Sequence, residues 1–537
     1  MPKLEFFDAW TSVGRTLGMH PRLPHSVDDL IGEMRRCHVA NALVCRCGQD
    51  PQDLSAANRA LSRSLPDFLA PLWTVIPGDA GDFPCGDQLL GDLENHRVPA
   101  VRILPKTHLW NPRGAAARSL FESLAEGGWP VFVSLDCEVS AAEFHELATA
   151  LPNVRWVAVH GSWTRQREVA DLILRHPNVW MTLEKYHANR GLEHLIRQGA
   201  GDRLLFASGA PSASMGAAKA YVDWADADAA TRAAVAGGNL RGLLKFQPAG
   251  KLAGFLEPDE IVADAMAGQP LSCEVIDFHS HILDDGANSG GNQVMLRGDA
   301  DGLLDMADRI GIDRLGVMTW VGIQGPDQDG GHVPVIAASR AAHGRFWGLA
   351  TIHVGDQSDT RKIQDLEAVM AQGNILGLKP YPTLGLPYDH PQYAALWRFA
   401  EQHGLYAGIH PFHWYQPDEF ISLCTRYPKL KVVAYHAGCT YEIADTIITL
   451  CRDFPNLYAE INYSSVTGGI IEYLVEGCGE DRVLFGTDQP MRDPRQQLGW
   501  VVYADLPVAI KKKILSENAL ALLDELAASS EKVPAMI

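Results

Sequence analysis

Short runs of branched and aromatic residues recur along this chain. Each is bounded by polar or breaker residues and followed by a longer stretch that is apolar at helical spacing. In the first half the runs are Ala40–Cys45, Ala100–Leu104, Pro130–Ser134, Val154–His160, Val179–Leu183 and Arg203–Ala207. Segments such as Ala116–Ala125, apolar at helical spacing, lie between them. Strand and helix alternating over about 240 residues predicts a parallel α/β fold, and a (β/α)8 barrel is about that size. The second half supplies eight such runs. Cys273–Ile276 leads into Asp277-Phe278-His279-Ser280-His281, and Arg314–Thr319, Phe346–Ile352, Ile375–Lys379, Tyr406–His410, Lys431–His436, Leu457–Asn462 and Val483–Asp488 follow. Between the halves the pattern loosens. Phe246-Gln247-Pro248-Ala249-Gly250 carries breakers, a short helical piece follows near Glu257–Met266, and Ala267-Gly268-Gln269-Pro270 ends it. The expected architecture is α/β: two tandem (β/α)8 TIM-like barrels, residues 1–246 and 273–525, with a linker over 247–272 and a tail over 526–537.

The two halves also repeat in detail. At an offset of 276 residues, Phe144-His145-Glu146-Leu147 through Val157-Ala158-Val159-His160-Gly161 sits on Phe420-Ile421-Ser422-Leu423 through Val433-Ala434-Tyr435-His436-Ala437. Farther on the offset drifts to 279, and Asp202-Arg203-Leu204-Leu205-Phe206 meets Asp481-Arg482-Val483-Leu484-Phe485. Asn239-Leu240 then meets Asn518-Ala519. Small loop changes in a duplicated domain produce such drift. The period is a whole domain, so the repeat is a tandem duplication and not a solenoid.

Composition narrows the function. The 537 residues are 47% hydrophobic, enough for a full core in each half, and no apolar run is long enough for a transmembrane helix. The start, Met1-Pro2-Lys3-Leu4-Glu5-Phe6-Phe7-Asp8, lacks the basic and then apolar regions of a signal peptide. A formal charge of −19 argues against nucleic acid or an anionic membrane as partner. The ten Cys are scattered, several in apolar segments, which reads as reduced thiols and a cytoplasmic protein.

The chemistry gathers in the second half. His279 and His281 stand two apart and project to one side of a strand, which is how a divalent metal site begins. Lys379, His410, His436 and Asp488 each fall where a predicted strand ends. The C-terminal strand ends of such a barrel form its active site, so these residues converge on one mouth. Singly, each has a plain structural reading as a buried histidine, a solvated lysine or a turn aspartate. Six such coincidences at six strand ends are far less economical than one metal site.

The same residues carry a family resemblance. Asp-Phe-His-Ser-His at 277–281, Gly-Leu-Lys-Pro-Tyr-Pro at 377–382, Gly-Ile-His-Pro at 408–411, Tyr-His-Ala-Gly at 435–438 and Leu-Phe-Gly-Thr-Asp at 484–488 stand in this order. Over roughly 273–525 the chain resembles the amidohydrolase superfamily, in the branch that includes aminocarboxymuconate-semialdehyde decarboxylase and related metal-dependent hydrolases. The resemblance implies a distorted barrel with one divalent metal, zinc first and manganese or iron as alternatives. It implies His279, His281 and His410 as ligands and Asp488 as ligand or proton carrier. His436 is implied as the imidazole that polarises substrate or moves a proton. Such a metal lowers the pKa of water, and Asp488 can carry the proton released. A binuclear site bridged by a carboxylated Lys379 is the less favoured alternative; Lys379 is read instead as contacting an anionic substrate group. Trp320, Tyr381, His413 and Arg492 follow predicted strands and complete the substrate candidates, and Trp414, Tyr415, Asn462 and Tyr463 stand near them.

In the first half, Trp10 and Ser12 stand at the positions of His279 and His281, Arg102 at Lys379, Ser134 at His410 and Gly209 at Asp488; only His160 matches, to His436. A barrel without metal chemistry is expected there, retained as the internal partner of a pseudo-dimer, with further homo-oligomers open. The leading functional expectation is a metal-dependent hydrolase of a small molecule, cleaving an amide, lactone or similar bond. A non-oxidative decarboxylase of a small aromatic or unsaturated carboxylic acid is the alternative, and a non-catalytic binding protein a third.

Overall fold

The structure is a computed structural model that describes residues 4–47, 53–283, 293–324, 328–341, 344–355, 357–380, 386–410 and 417–529. The chain divides into two compact units, residues 1–258 with 292–294, and residues 259–291 with 295–537. Each is built on an eight-stranded parallel sheet whose strands neighbour one another in sequence order.

In the first unit the strands are β1 (Phe6–Val13), β2 (Val39–Arg46), β3 (Leu69–Thr74), β4 (Ala100–Ile103), β5 (Val131–Ser134), β6 (Trp156–Val159), β7 (Val179–Thr182) and β8 (Leu204–Leu205). The sheet closes where Ala9 N donates to Phe206 O at 2.9 Å and Gly209 N to Trp10 O at 2.9 Å. The second unit contains β9 (Ile276–Ile282), β10 (Arg314–Thr319), β11 (Phe346–Ala350), β12 (Ile375–Leu378), β13 (Tyr406–Ile409), β14 (Val432–Ala434), β15 (Leu457–Ile461) and β16 (Val483–Phe485). It closes where Asp488 N donates to His279 O at 2.7 Å and His281 N to Gln489 O at 2.6 Å. Both units are (β/α)8 barrels, as the alternating pattern predicts.

Parallel strands are buried on both faces, by the barrel interior and by the outer helices, and this is why they read as nearly continuous apolar runs. Phe7, Leu43, Phe132 and Val157 pack inside the first barrel; Phe278, Trp347, Tyr406 and Tyr435 pack inside the second. Aromatics of that size fit only where a neighbour has no side chain. A Cβ at Gly408 would collide with the Tyr435 hydroxyl.

The helices follow from local signals. Helix Ala300–Ile310 starts at Asp299, whose carboxylate accepts from Gly302 N at 3.2 Å, and ends at Gly311 in the left-handed region. Its Leu303, Met306, Ala307 and Ile310 recur at helical spacing and are buried. Helix Ala141–Ala150 has a reciprocal cap, with Ser140 and Glu143 each satisfying the other's main-chain N–H. The helix Glu260–Ala267 belongs to the second unit: Lys511 Nζ reaches Asp259 Oδ2 at 2.8 Å. The last helix, Asn518–Ser529, runs on past residue 525.

Two details differ from the expected pattern. The strand carrying the paired histidines begins at Ile276 and includes them; Cys273–Val275 precede it. The strand Leu69–Thr74 has no counterpart among the apolar runs read from the sequence, because Pro71 interrupts it. Pro71 nevertheless pairs in register with Val44.

Candidate functional site

A carboxylate outside the expected site sets its geometry. Asp277 on β9 is fully buried, and its Oδ1 accepts from His279 N and from Thr487 N, each at 3.0 Å. Its Oδ2 accepts from Thr487 Oγ1 at 2.5 Å and Gln489 Nε2 at 3.2 Å. This clasp ties β9 to the segment after β16 and fixes the histidines beside Asp488. Asp488 itself lies in the left-handed region at φ 58°, as His436 does at φ 63°. Non-glycine residues rarely adopt that backbone, and His160 of the first barrel shares it at φ 62°.

Six of the expected residues meet at the C-terminal mouth of the second barrel. His279 and His281 come from β9, with ring centroids 5.4 Å apart. Lys379 directly follows β12 and His410 directly follows β13. His436 lies two residues beyond β14, and Asp488 three beyond β16. Asp488 Oδ1 is 3.0 Å from His281 Nε2 and 3.6 Å from His279 Nε2. Donor atoms of His279, His436 and Asp488 all lie within 4.8 Å of one another. The His410 ring sits 4.9 Å from that of His436.

These groups line a cavity of about 240 Å³. Trp320 and Arg492, both substrate candidates, border it too, as does Tyr463. Trp320 packs edge-on to His281 with centroids 5.1 Å apart. The Arg492 guanidinium pairs with Asp488, donates from Nε to Ser464 Oγ at 2.5 Å and lies over the Tyr463 ring. Lys379 is wholly buried, its Nζ 3.9 Å from the centre of the Tyr435 ring. Tyr381 and His413 lie outside the described residues, as do Trp414 and Tyr415.

The electrostatics suit a cation. Burial, reinforced by the nearby Lys379 ammonium, holds the His279 and His281 imidazoles far below their ordinary pKa, hence neutral. His436 is driven down likewise, by burial first and then by His410. Burial also drives Lys379 well below the usual lysine range. Neutral imidazoles beside a carboxylate are the donor set that zinc and related divalent ions take. The residues present therefore fit a divalent metal.

Two further residues belong to the site and were not among the sequence candidates in these roles. Glu460, on β15, is fully buried; its Oε2 accepts from His436 N at 3.2 Å and lies 3.4 Å from His279 Nδ1. Asn462 Oδ1 meets His436 Nδ1. The repeat held the signal for the first: at the offset of 276, Glu460 falls on Glu184 and His436 on His160.

At the first barrel's mouth the frame persists without the donors. Asp8 accepts from Trp10 N at 3.0 Å and Ser208 N at 3.1 Å, matching the Asp277 clasp. Glu184 accepts from His160 N at 2.7 Å. The Trp10 ring packs on Phe132 and, edge-on, on His160. Ser134 Oγ lies 2.7 Å from His160 Nδ1, and Arg102 donates from Nε to Thr74 Oγ1 at 2.8 Å.

The sequence profile of the family described as Amidohydrolase matches residues 50–246 and again 276–524. No curated protein matches. Among solved structures, an uncharacterised TIM-barrel protein from Bordetella bronchiseptica is 17% identical, covering 47% of this chain and 99% of its own, with a TM-score of 0.40. The 5-carboxyvanillate decarboxylase of Sphingomonas paucimobilis is 17% identical, with coverages of 47% and 99% and a TM-score of 0.37. A dihydroxybenzoic acid decarboxylase from a Polaromonas species, solved with manganese and 2-nitroresorcinol, is 16% identical, with coverages of 47% and 97% and a TM-score of 0.37.

Proposed function

The chain belongs to the amidohydrolase family, and from that membership and the site geometry we propose that its second barrel is a metal-dependent hydrolase of a small molecule. The observation that carries this reading is the convergence of His279, His436 and Asp488 donor atoms within 4.8 Å, with His281 beside them, at the mouth of a 240 Å³ cavity. His279, His281, His410 and Asp488 would hold the metal, with zinc the first choice and manganese or iron alternatives. Bound there, it would supply Lewis acidity, lowering the pKa of water and polarising a carbonyl.

The chain's own groups do the rest. Asp488 takes a proton from the attacking water and returns it to the leaving amine or alkoxide. Asn462 Oδ1 accepts the His436 Nδ1–H, which leaves the Nε2 lone pair of the neutral ring to take a proton during the reaction. Trp320 and Tyr463 offer flat faces to the substrate. Lys379, stacked on Tyr435, is read as a contact to an anionic substrate group rather than as a bridge between two metals.

One observation favours a second reaction. Lys379 and Arg492 both border the cavity, and the Arg492 guanidinium, joined by Lys379 wherever it carries a proton, suits a substrate carboxylate. In a decarboxylase on this site, Asp488 or His436 would protonate the carbon that loses carbon dioxide. Mass spectrometry of the metal-loaded protein with panels of amides, lactones and aromatic carboxylic acids tests both. Products that gain the elements of water support hydrolysis; products that lose carbon dioxide replace it with the second reading. If the metal-loaded protein turns over neither panel, the hydrolase reading fails.

The first barrel is proposed to be a pseudoenzyme domain, retained as the internal partner of the second. Its Trp10, Ser12 and Gly209 offer none of the metal donors found at His279, His281 and Asp488.

A further inference from the structure

β15 sends Glu460 and, two residues on, Asn462 to one side of the strand, and both end on site histidines. Glu460 makes two contacts through Oε2, one with the His436 main chain and one with the His279 ring. Its Oε1 has no hydrogen-bond partner among the described residues, and Gly486 leaves the space it fills: a Cβ there would collide with it.

The first barrel separates the two contacts. Glu184 makes the same main-chain contact, to His160 N. The strand-one ring there is the indole of Trp10, however, and Ala207 stands at the Gly486 position. The main-chain contact is therefore part of the frame in both barrels. The approach to a strand-one imidazole, and the glycine that makes room for it, occur only beside the candidate metal donors.

We infer that Glu460 is a positioning residue of the metal centre, whose carboxylate takes the Nδ1–H of His279 and leaves the Nε2 lone pair for a divalent cation. A neutral imidazole has one N–H and one lone pair, so an acceptor behind Nδ1 decides which nitrogen ligates. Nε2 is the nitrogen 3.6 Å from Asp488 Oδ1. Outer carboxylates of this kind also raise the basicity of the ligating nitrogen. The inference rests on the metal reading above.

Titration of metal-stripped full-length protein with Co2+, followed by its visible absorption, tests it. Glu460→Gln is expected to weaken Co2+ binding roughly 10- to 100-fold and to alter the absorption bands. Glu184→Gln, the matched change in the first barrel, is expected to titrate as wild type. Gly486→Ala keeps the carboxylate but displaces it, and is expected to weaken binding in the same direction; Ala207 shows that this fold accommodates a methyl group there. Wild-type affinity and absorption in both Glu460→Gln and Gly486→Ala would overturn the inference, as would an equal loss in Glu184→Gln. A wild-type chain that takes up no Co2+ would instead overturn the metal reading on which it stands.

Discussion

His279, His281 and Asp488 occupy buried positions where ordinary packing would place apolar groups, and burial keeps both imidazoles neutral. On the proposed reading these residues act through a bound cation, so their removal should be read in the metal-dependent part of stability. Saturating divalent metal at 100 times its dissociation constant adds about 2.7 kcal/mol to the folded state. Thermal melting should show this rise in the wild type, lose it in His279→Ala, and keep it in Trp10→Ala at a lower base. Asp488→Asn removes the proposed proton carrier as well and should lower turnover about 100- to 10,000-fold. In the first barrel, burial presses His160 down to a pKa of about 3. Its imidazole is neutral when folded and protonates near 6.5 once unfolded, so its contribution is complete above that value and is lost as pH falls toward 3. By pH 5 the loss is about 2 kcal/mol. Urea midpoints should therefore fall more between pH 7 and pH 5 in wild type than in His160→Gln.

At the scale of elements, each barrel is held shut by a buried aspartate on its first strand. Asp277→Ala would leave the N–H groups of His279 and Thr487 without their acceptor, at a cost of about 3 kcal/mol or more. The checking measurement is denaturant unfolding without metal, so that lost ligation does not contribute. The barrels themselves were legible, because parallel strands buried on both faces write themselves as apolar runs. Leu69–Thr74 escaped because a proline normally marks a strand edge, and the register partner of Pro71, Val44, lies on another strand. The convergence of His279, His281, Lys379, His410, His436 and Asp488 was legible because barrel topology brings strand ends together whatever their separation in sequence. The role of Glu460 was not. Tyr458-Ala459-Glu460-Ile461 reads as ordinary alternation, and only the packed structure shows that the carboxylate faces inward onto His279. Asp277 stood in the quoted motif, yet its task depends on Thr487, 210 residues away.

For the whole molecule, the boundary between units matters for dissection. Helix Glu260–Ala267 buries Ile261, Val262 and Ala265 and belongs to the second unit. A fragment starting at residue 273 omits it, and should be less stable than one starting at 259 by about 3–5 kcal/mol of apolar burial. The longer fragment is also the fair test of the role proposed for the first barrel as internal partner. Aggregation or weak metal uptake by 259–537 is the expected result; a soluble fragment with full activity would remove the need for that role.

The aspartate clasp has a consequence for how this protein tolerates change. Closure of each barrel runs through the side chains of Asp8 with Ser208, or Asp277 with Thr487, and through main-chain groups of the candidate donors but not their side chains. Fitness measured by abundance and fitness measured by turnover should then part company. In a saturation library sorted for cellular amount, positions 279 and 281 should look more permissive than positions 277 and 487; sorted for activity, all four should be depleted. Loss of chemistry is then nearly silent to the folding machinery. One half of a duplicated chain could drift from histidine to tryptophan while the protein went on being made.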